Sequence, residues 1–356
     1  MGVPTIVVAR HWRPEVVDIA QTLRDVVAGR DSSTVRVVGG GRWPRPSLAF
    51  ARADVLVLSD TAPAPKGGPA VVRLWWNEAT EVAAFVAAHE LRPPEINICF
   101  FPDTADELRE RGIETTYVPY AFAPLEPPAV GFAPFVGYTG EVDISDRCFD
   151  GLDRQLVPRL HAMATDLAGA IVGGATSMVE ADGAIRADSD TDATTAPIVG
   201  WSMRNHVRYQ LLRVIVATFP TAAKVRGSDW QALGFDAAKT SFGRRRRRRE
   251  YRTNRVSVDL GSKSTTAALY PRSAEVMSVG GGLVQFDSGT PTPPELPTLA
   301  GRRAAHADGV VAIIDRLLHL EPEALRAENG RLQHEYSSMR LISGALLLDA
   351  FGAGAL

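Results

Sequence analysis

The chain has 356 residues, with 39 Lys plus Arg against 41 Asp plus Glu and a formal net charge of −2. Charge this close to balance argues against a protein built to coat nucleic acid, because binding along a phosphate backbone needs a positive surface. Apolar residues at 45% and charged residues at 22% can build a core, which excludes a wholly disordered chain, and the length predicts two domains because one core rarely grows past about 250–300 residues.

The only cysteines, Cys99 and Cys148, make neither a disulfide framework nor a structural zinc site. The first residues carry no basic segment followed by a long apolar one, and there is no uncharged apolar stretch of about 18 residues, the length that crosses a bilayer. A soluble, cytoplasmic protein is expected, and loose attachment to the inner membrane face is left open.

In chain order, short apolar runs at 5–9, 35–38, 54–58, 71–75 and 96–101 alternate with helical or turn-rich segments, the pattern of parallel strands buried on both faces. Between the first two runs, Val16, Ile19, Ala20, Leu23, Val26 and Val27 fall on one helical face behind Pro14. Further helices are expected over 80–89 and 103–111. Residues 114–134 carry a strand-like Glu-Thr-Thr-Tyr-Val-Pro and then Pro124, Pro127, Pro128 and Pro134, a composition that suits a stiff crossing between domains. The expected division is an N-terminal domain over 1–125, a C-terminal domain over 126–340, and a tail helix over 341–356 that packs back on the first domain.

The second half opens with the strand Phe135-Val136-Gly137 and continues with a helix near 152–167. Segment 181–197, with Asp182, Asp188, Asp190 and Asp192, reads as an exposed loop, and it lacks the glycine and terminal glutamate of a calcium loop. A helix over 206–219 and a strand over 223–225 follow. The unbroken run from Arg244 through Arg249 sets like charges side by side, so it is either a solvated face or a contact for an anionic membrane or polyanionic acceptor. No interleaved aromatic platform supports a nucleic-acid groove. A strand over 256–260, a helix opening at Pro271, a strand over 283–286, helices over 308–320 and 322–339, and an apolar tail over 341–348 complete the chain.

A nucleotide diphosphate needs backbone donors, positive charge, and a carboxylate that accepts from ribose hydroxyls. The helix opening at Pro271 offers free N–H groups, Arg272 beside them and Glu275 one turn on, with Lys263 upstream. A simple surface ion pair between Arg272 and Glu275 is the alternative. Gly137 and Gly140 mark a strand-to-helix turn at the carboxyl edge of the second sheet, where α/β proteins place ligands, which makes Glu141 and Arg147 contact candidates. His11 follows the first strand with Trp12 beside it, and its pKa range suits a base. Trp75, Asn77 and Glu78 end another strand at the same edge, where rings could line a sugar site or simply close the core. No nucleophile elbow, zinc-binding helix motif, dinucleotide fingerprint or phosphate loop is present, and the remaining histidines form no ligand pair on one helical turn.

Phe135-Val136-Gly137 followed by Arg147, then Val225-Arg226-Gly227-Ser228-Asp229-Trp230, Tyr251 to Leu260, Tyr270-Pro271-Arg272-Ser273-Ala274-Glu275 through Gly281, and His334-Glu335-Tyr336 through Arg340 together resemble the C-terminal domain of GT-B glycosyltransferases, in particular the bacterial spore-maturation-protein-like group. The resemblance spans about 200 residues and is an analogy of motif order. It implies an α/β protein of GT-B architecture, two Rossmann-like domains facing across a cleft. A nucleotide-sugar donor of unassigned base would lie against Gly137, Glu141, Arg147, Gly227, Trp230, Lys263, Arg272 and Glu275. A hydroxyl acceptor would enter from the side of Trp12, Trp75, Asn77 and Glu78, with His11 and Arg272 acting in the chemistry and neither metal nor cofactor required. In many retaining members of the wider superfamily a glutamate stands eight positions before the one matched by Glu275; here Ala267 occupies that place. The implied activity is sugar transfer to a hydroxyl. A sugar-nucleotide epimerase and a catalytically inactive carbohydrate-binding or assembly subunit are the alternatives.

Overall fold

A computed structural model describes residues 5–8, 15–29, 36–39, 55–59, 70–75, 95–128, 131–192, 195–238, 244–261 and 269–355. The chain forms two compact units, Met1–Pro124 with Ser337–Leu356, and Leu125–Tyr336.

The apolar runs of the first unit are strands β1 (Thr5–Val8), β2 (Arg36–Gly39), β3 (Val55–Ser59), β4 (Ala70–Trp75) and β5 (Glu95–Cys99), joined at the edge by β6 (Thr115–Tyr117). All pair in parallel, in the order β2-β1-β3-β4-β5-β6. All three residues of β6 come from the start of the passage at 114–134: Thr115 pairs with Asn97, and Asn97 Nδ2 donates to the carbonyl of Glu114 at 3.1 Å. Helix α1 (Glu15–Gly29) buries Val16, Ile19, Ala20, Leu23, Val26 and Val27, the face its spacing predicts. Helix α2 (Pro102–Glu110) begins at a proline, whose missing N–H costs nothing in a first turn. The expected helix over 80–89 lies outside the described residues. Phe100, Tyr120 and Phe122 form an edge-to-face cluster with centroids 5.4–5.8 Å apart. Cys99 is fully buried beside them, and burial pushes its thiol up to about 12, so it is no nucleophile near neutral pH.

The second unit holds β7 (Ala133–Thr139), helices α3 (Val157–Val172), α4 (Met178–Ala187) and α5 (Thr195–Thr218), β8 (Ala223–Arg226), β9 (Ala237–Ala238), α6 (Arg244–Thr253), β10 (Asn254–Asp259), α7 (Pro271–Ser278), β11 (Leu283–Phe286), α8 (Pro297–Ala300), β12 (Arg303–Ala304) and α9 (Ala307–His319). Its sheet is also parallel throughout, in the order β12-β11-β10-β7-β8-β9. Counted within the unit this is the doubly wound order 3-2-1-4-5-6, reversing between β7 and β10; ligands of such sheets bind outside the carboxyl ends of the strands where the order reverses.

Three local expectations change. Segment 181–197 is helix as far as Ala187, because Ser177 and Glu180 form a reciprocal capping box that starts α4. Its aspartates have structural partners: Asp182 pairs with Arg204, Asp188 and Asp190 with Arg159, and Asp192 Oδ1 accepts from the Thr195 amide at 2.7 Å at the start of α5. Helix α5 begins eleven residues before the expected 206; its first half buries Gly200, Ser202, Arg204, Asn205 and His206 beside Val199 and Met203, so polar residues dilute its apolar face. The helix expected over 322–339 and the tail over 341–348 are one, α10 (Pro322–Ala355), whose last part belongs to the first unit.

There, Arg340 Nη2 meets Asp25 Oδ2 at 2.6 Å, and a Cβ on Gly344 would come within 2.7 Å of Val26 Cγ2. Among the described residues no helix is long and apolar enough to cross a membrane. Phe351, fully buried near the end of α10, is expected to cost about 3–5 kcal/mol when changed to Ala, as for other buried rings. Urea unfolding followed by near-ultraviolet circular dichroism checks this; an unchanged midpoint would mean that the end of α10 does not hold the first unit together.

Candidate functional site

Strand register brings the carboxyl ends of β7 and β10 side by side: Tyr138 lies opposite Val258, and Thr139 and Asp259 end the two strands. Asp259 has no exposed surface. Its Oδ1 accepts from Arg272 Nη1 at 3.2 Å and from the Gly261 amide at 3.1 Å, and its Oδ2 accepts from the Ser273 hydroxyl. Gln285, opposite Asp259 in β11, donates to Ser273 Oγ at 3.2 Å. A buried carboxylate requires such donors, and here they come from the turn after β10 and from the first turn of α7. That turn starts with extended Tyr270 and Pro271, and Tyr270 makes no side-chain capping bond. The first N–H groups of a helix have no partner inside it, so an uncapped start is a ready anion site.

Arg272 is half-buried, with its guanidinium 5.6 Å from the ring centre of Tyr138 and 5.9 Å from that of Tyr270. Burial works against its charge; Asp259, with the phenols of Tyr138, Tyr251 and Tyr270, outweighs this and holds the group above its ordinary value. Around it lie buried oxygens with no hydrogen-bond partner, Tyr138 OH and Tyr251 OH. Burial pushes the Tyr251 phenol above its usual range.

The turn after β7 is fixed from the next strand. Gly140 N donates to the carbonyl of Arg226 at 3.0 Å, and Trp230 Nε1 donates to the carbonyl of Gly140 at 2.8 Å. Gly227 has φ +146°, and a Cβ there would sit 1.7 Å from the Gly140 oxygen. A Cβ on Gly140 itself would come within 2.5 Å of Tyr138 OH and 3.0 Å of Arg272 Nη2. Gly140, Gly227, Trp230 and Arg272 are thus brought together.

Other expected contacts are placed differently. Trp230 is fully buried, stacked edge-on to Tyr138 at 5.5 Å, so it supports the turn and offers no face to a ligand. Gly137 lies within β7, where a Cβ would strike Asn254 Nδ2; its smallness serves strand packing. Glu141 and Arg147 are exposed, and Arg147 sits in the short 3₁₀ turn Asp146–Phe149. Trp75 is fully buried, with its indole N–H on Asn97 Oδ1 at 3.1 Å, so it closes the first unit's core and has no surface for a sugar. His11, Trp12, Asn77, Glu78, Lys263 and Ala267 lie outside the described residues.

Glu275 does not pair with Arg272. It is 5% exposed and takes Arg247 at both oxygens, 2.7 and 2.5 Å, with Arg244 Nε at 3.5 Å. The arginine run is therefore neither wholly solvated nor in need of an outside anion. It forms α6, whose inward arginines find acids elsewhere in the unit: Arg248 meets Glu126 at 2.7 Å, while Glu250 takes Arg226 at 2.9 Å. Arg245, Arg246 and Arg249 face outward.

Two histidines that spacing could not associate meet across α3 and α5, with His161 Nε2 and His206 Nε2 3.3 Å apart. Among the described residues no group of three or more His, Cys, Asp or Glu is placed to hold a metal ion. The residues missed by sequence reasoning are Asp259, Tyr138 and Arg208. Asp259 left a trace, an acid ending an apolar strand just before a glycine; Arg208 left none.

No protein-family profile matches the chain, and no curated protein matches it. Among solved structures, the calicheamicin glycosyltransferase CalG4 is similar at 12% identity over 100% of both chains, with a TM-score of 0.34. A UDP-forming α,α-trehalose-phosphate synthase from Burkholderia xenovorans is similar at 11% identity over 96% of this chain and 86% of that one, with a TM-score of 0.40.

Replacing Asp259 by Asn removes the charge facing Arg272 and is expected to cost about 3 kcal/mol, as when a buried pair loses one partner. Gly227→Ala should cost a similar amount, about 3 kcal/mol, because its clash is with backbone. Guanidinium unfolding of both variants checks this. A D259N variant as stable as the wild type would mean that the carboxylate does not organise the start of α7.

Proposed function

We propose that the chain is a glycosyltransferase of the two-domain GT-B type, which moves a sugar from a nucleoside-diphosphate sugar held by the second unit to a hydroxyl acceptor. The observation that carries this reading is the uncapped start of α7 at the β7/β10 reversal, with Arg272 fixed by Asp259. The motif order from Phe135 to Arg340 supports it independently.

In the reaction, the bond from the sugar's anomeric carbon to the distal phosphate oxygen breaks as the acceptor oxygen bonds to that carbon. The acceptor proton passes to a base, and the nucleoside diphosphate departs with its bonding electrons. Charge accumulates on the leaving diphosphate, so donors already aimed there lower the barrier without reorganising. The first-turn amides of α7 and the Arg272 guanidinium are such donors. Gly140 leaves open the space that a side chain would take from Arg272 and Tyr138. His11, next in sequence but two after β1, is the proposed base of an inverting route, and its exchange for Ala should lower turnover while leaving donor binding unchanged.

Glu275 as ribose acceptor requires that it exchange Arg247 for the sugar hydroxyls. This is a proposal about the liganded protein, since in this structure both its oxygens meet Arg247. An epimerase on the same site would turn over donor without acceptor, and an inactive binding subunit would bind donor and turn over nothing.

Calorimetric titration with UDP, GDP, CDP and dTDP tests the reading. One of them should bind, and Arg272→Ala should weaken it about tenfold or more, the worth of one charge-assisted contact. Binding of none of the four, or equal affinity in the variant, contradicts it.

A further inference from the structure

A guanidinium buried away from water needs an opposite charge, because hydrogen bonds alone do not repay the loss of hydration. Among the described residues six arginines are buried, and five of them meet a carboxylate: Arg73 with Glu95, Arg204 with Asp182, Arg248 with Glu126, Arg302 with Glu328 and Arg340 with Asp25. Arg208 is the sixth, 2% exposed, and its partners among the described residues are backbone carbonyls alone. Nη1 donates to the carbonyl of Glu141 at 3.4 Å and Nη2 to that of Gly261, while Nε is buried with no partner. Carbonyl dipoles satisfy two donors and carry no net charge. A guanidinium has five donors, so Nε and one hydrogen on each terminal nitrogen are left unused.

The position gives this imbalance a meaning. Glu141 follows the end of β7 and Gly261 the end of β10, so Arg208 spans the point where the sheet order reverses. The Gly261 amide donates to Asp259, the carboxylate that holds Arg272, so one short turn links both arginines. The charge of Arg272 is balanced by Asp259, and that of Arg247 by Glu275. Among the described residues at this edge, the guanidinium that meets no carboxylate is that of Arg208, reinforced by the positive end of α7. A neutral ligand would leave it unrelieved; a polyanion would relieve it.

We propose that Arg208 supplies the net positive charge of the site and contacts the diphosphate of the nucleotide ligand through Nε and its unused terminal N–H groups, with Arg272 as the second cation. This rests on the diphosphate reading given above and assigns the larger share of anion attraction to a residue on α5, far in sequence from the motif of α7.

The test uses inorganic pyrophosphate, which needs no knowledge of the base, titrated calorimetrically into the full chain, with the unfolding temperature followed in parallel. R208Q keeps a donor for one carbonyl and removes the charge; it should weaken pyrophosphate binding about tenfold or more. R208K keeps the charge but loses the planar fork, and should fall between R208Q and the wild type. Unchanged affinity in R208Q, with only a lower unfolding temperature, overturns the inference and makes Arg208 a strut between two loops; the diphosphate reading then still stands if R272A weakens binding. If R208Q does not fold, wild-type affinity in R208K overturns the inference in its place. If the wild type binds neither pyrophosphate nor any of the four nucleoside diphosphates, the diphosphate reading falls and this inference with it.

Discussion

A carboxylate with no exposed surface must be met by donors wherever the chain puts it, and Asp259 draws its donors from two segments, the start of α7 and the turn after β10. That requirement orients the helix. With Arg272 and Ser273 bound to Asp259, the first turn of α7 is held at the carboxyl edge of the sheet, and its residues from Ser273 to Ser278 are buried along β10 and β11. The anion binding proposed at this place would combine a structural need of the carboxylate with the general property of helix starts.

Charge in the second unit is arranged by the same rule. Six consecutive arginines would repel if they stood alone, yet a helix turns them in different directions, and the inward ones meet Glu126 and Glu275. Paired in this way a buried ion contributes little net stability, but losing one partner is costly. The run is thus part of the unit's interior on one face, and Glu275 is tied to it through Arg247. Any ribose contact by Glu275 would have to compete with that bidentate pair, which links donor binding to the packing of α6.

The sheets were legible in the sequence because parallel strands buried on both faces leave continuous apolar runs, and the five runs of the first half are β1 to β5. Helix α1 was legible for the complementary reason, one apolar face at regular spacing. Helix α5 was half hidden, because burying Arg204, Asn205, His206 and Arg208 among Val199, Met203 and Val207 dilutes its apolar face. The start of α4 was missed because the aspartates of 181–197 suggested a loop, while the Ser177 and Glu180 capping box that starts the helix lies just before that segment. At the site, Pro271 and Arg272 were readable from helix-start chemistry. The partner of Arg272 was not, because Asp259 is distant in sequence and the nearby Glu275 offered a simpler local pair. Trp75 and Trp230 were misplaced because an aromatic ring at a strand end has the same sequence signature whether it lines a pocket or closes a core.

The central claim is that the first turn of α7 receives a diphosphate. Hydrogen exchange of the Arg272 and Ser273 amides, with and without a bound nucleoside diphosphate, addresses it most directly. The account predicts that these two amides slow on binding, along with those of the Gly140 turn, while α9 is unaffected. Slowing confined to other elements, with the first turn of α7 exchanging as before, would contradict it.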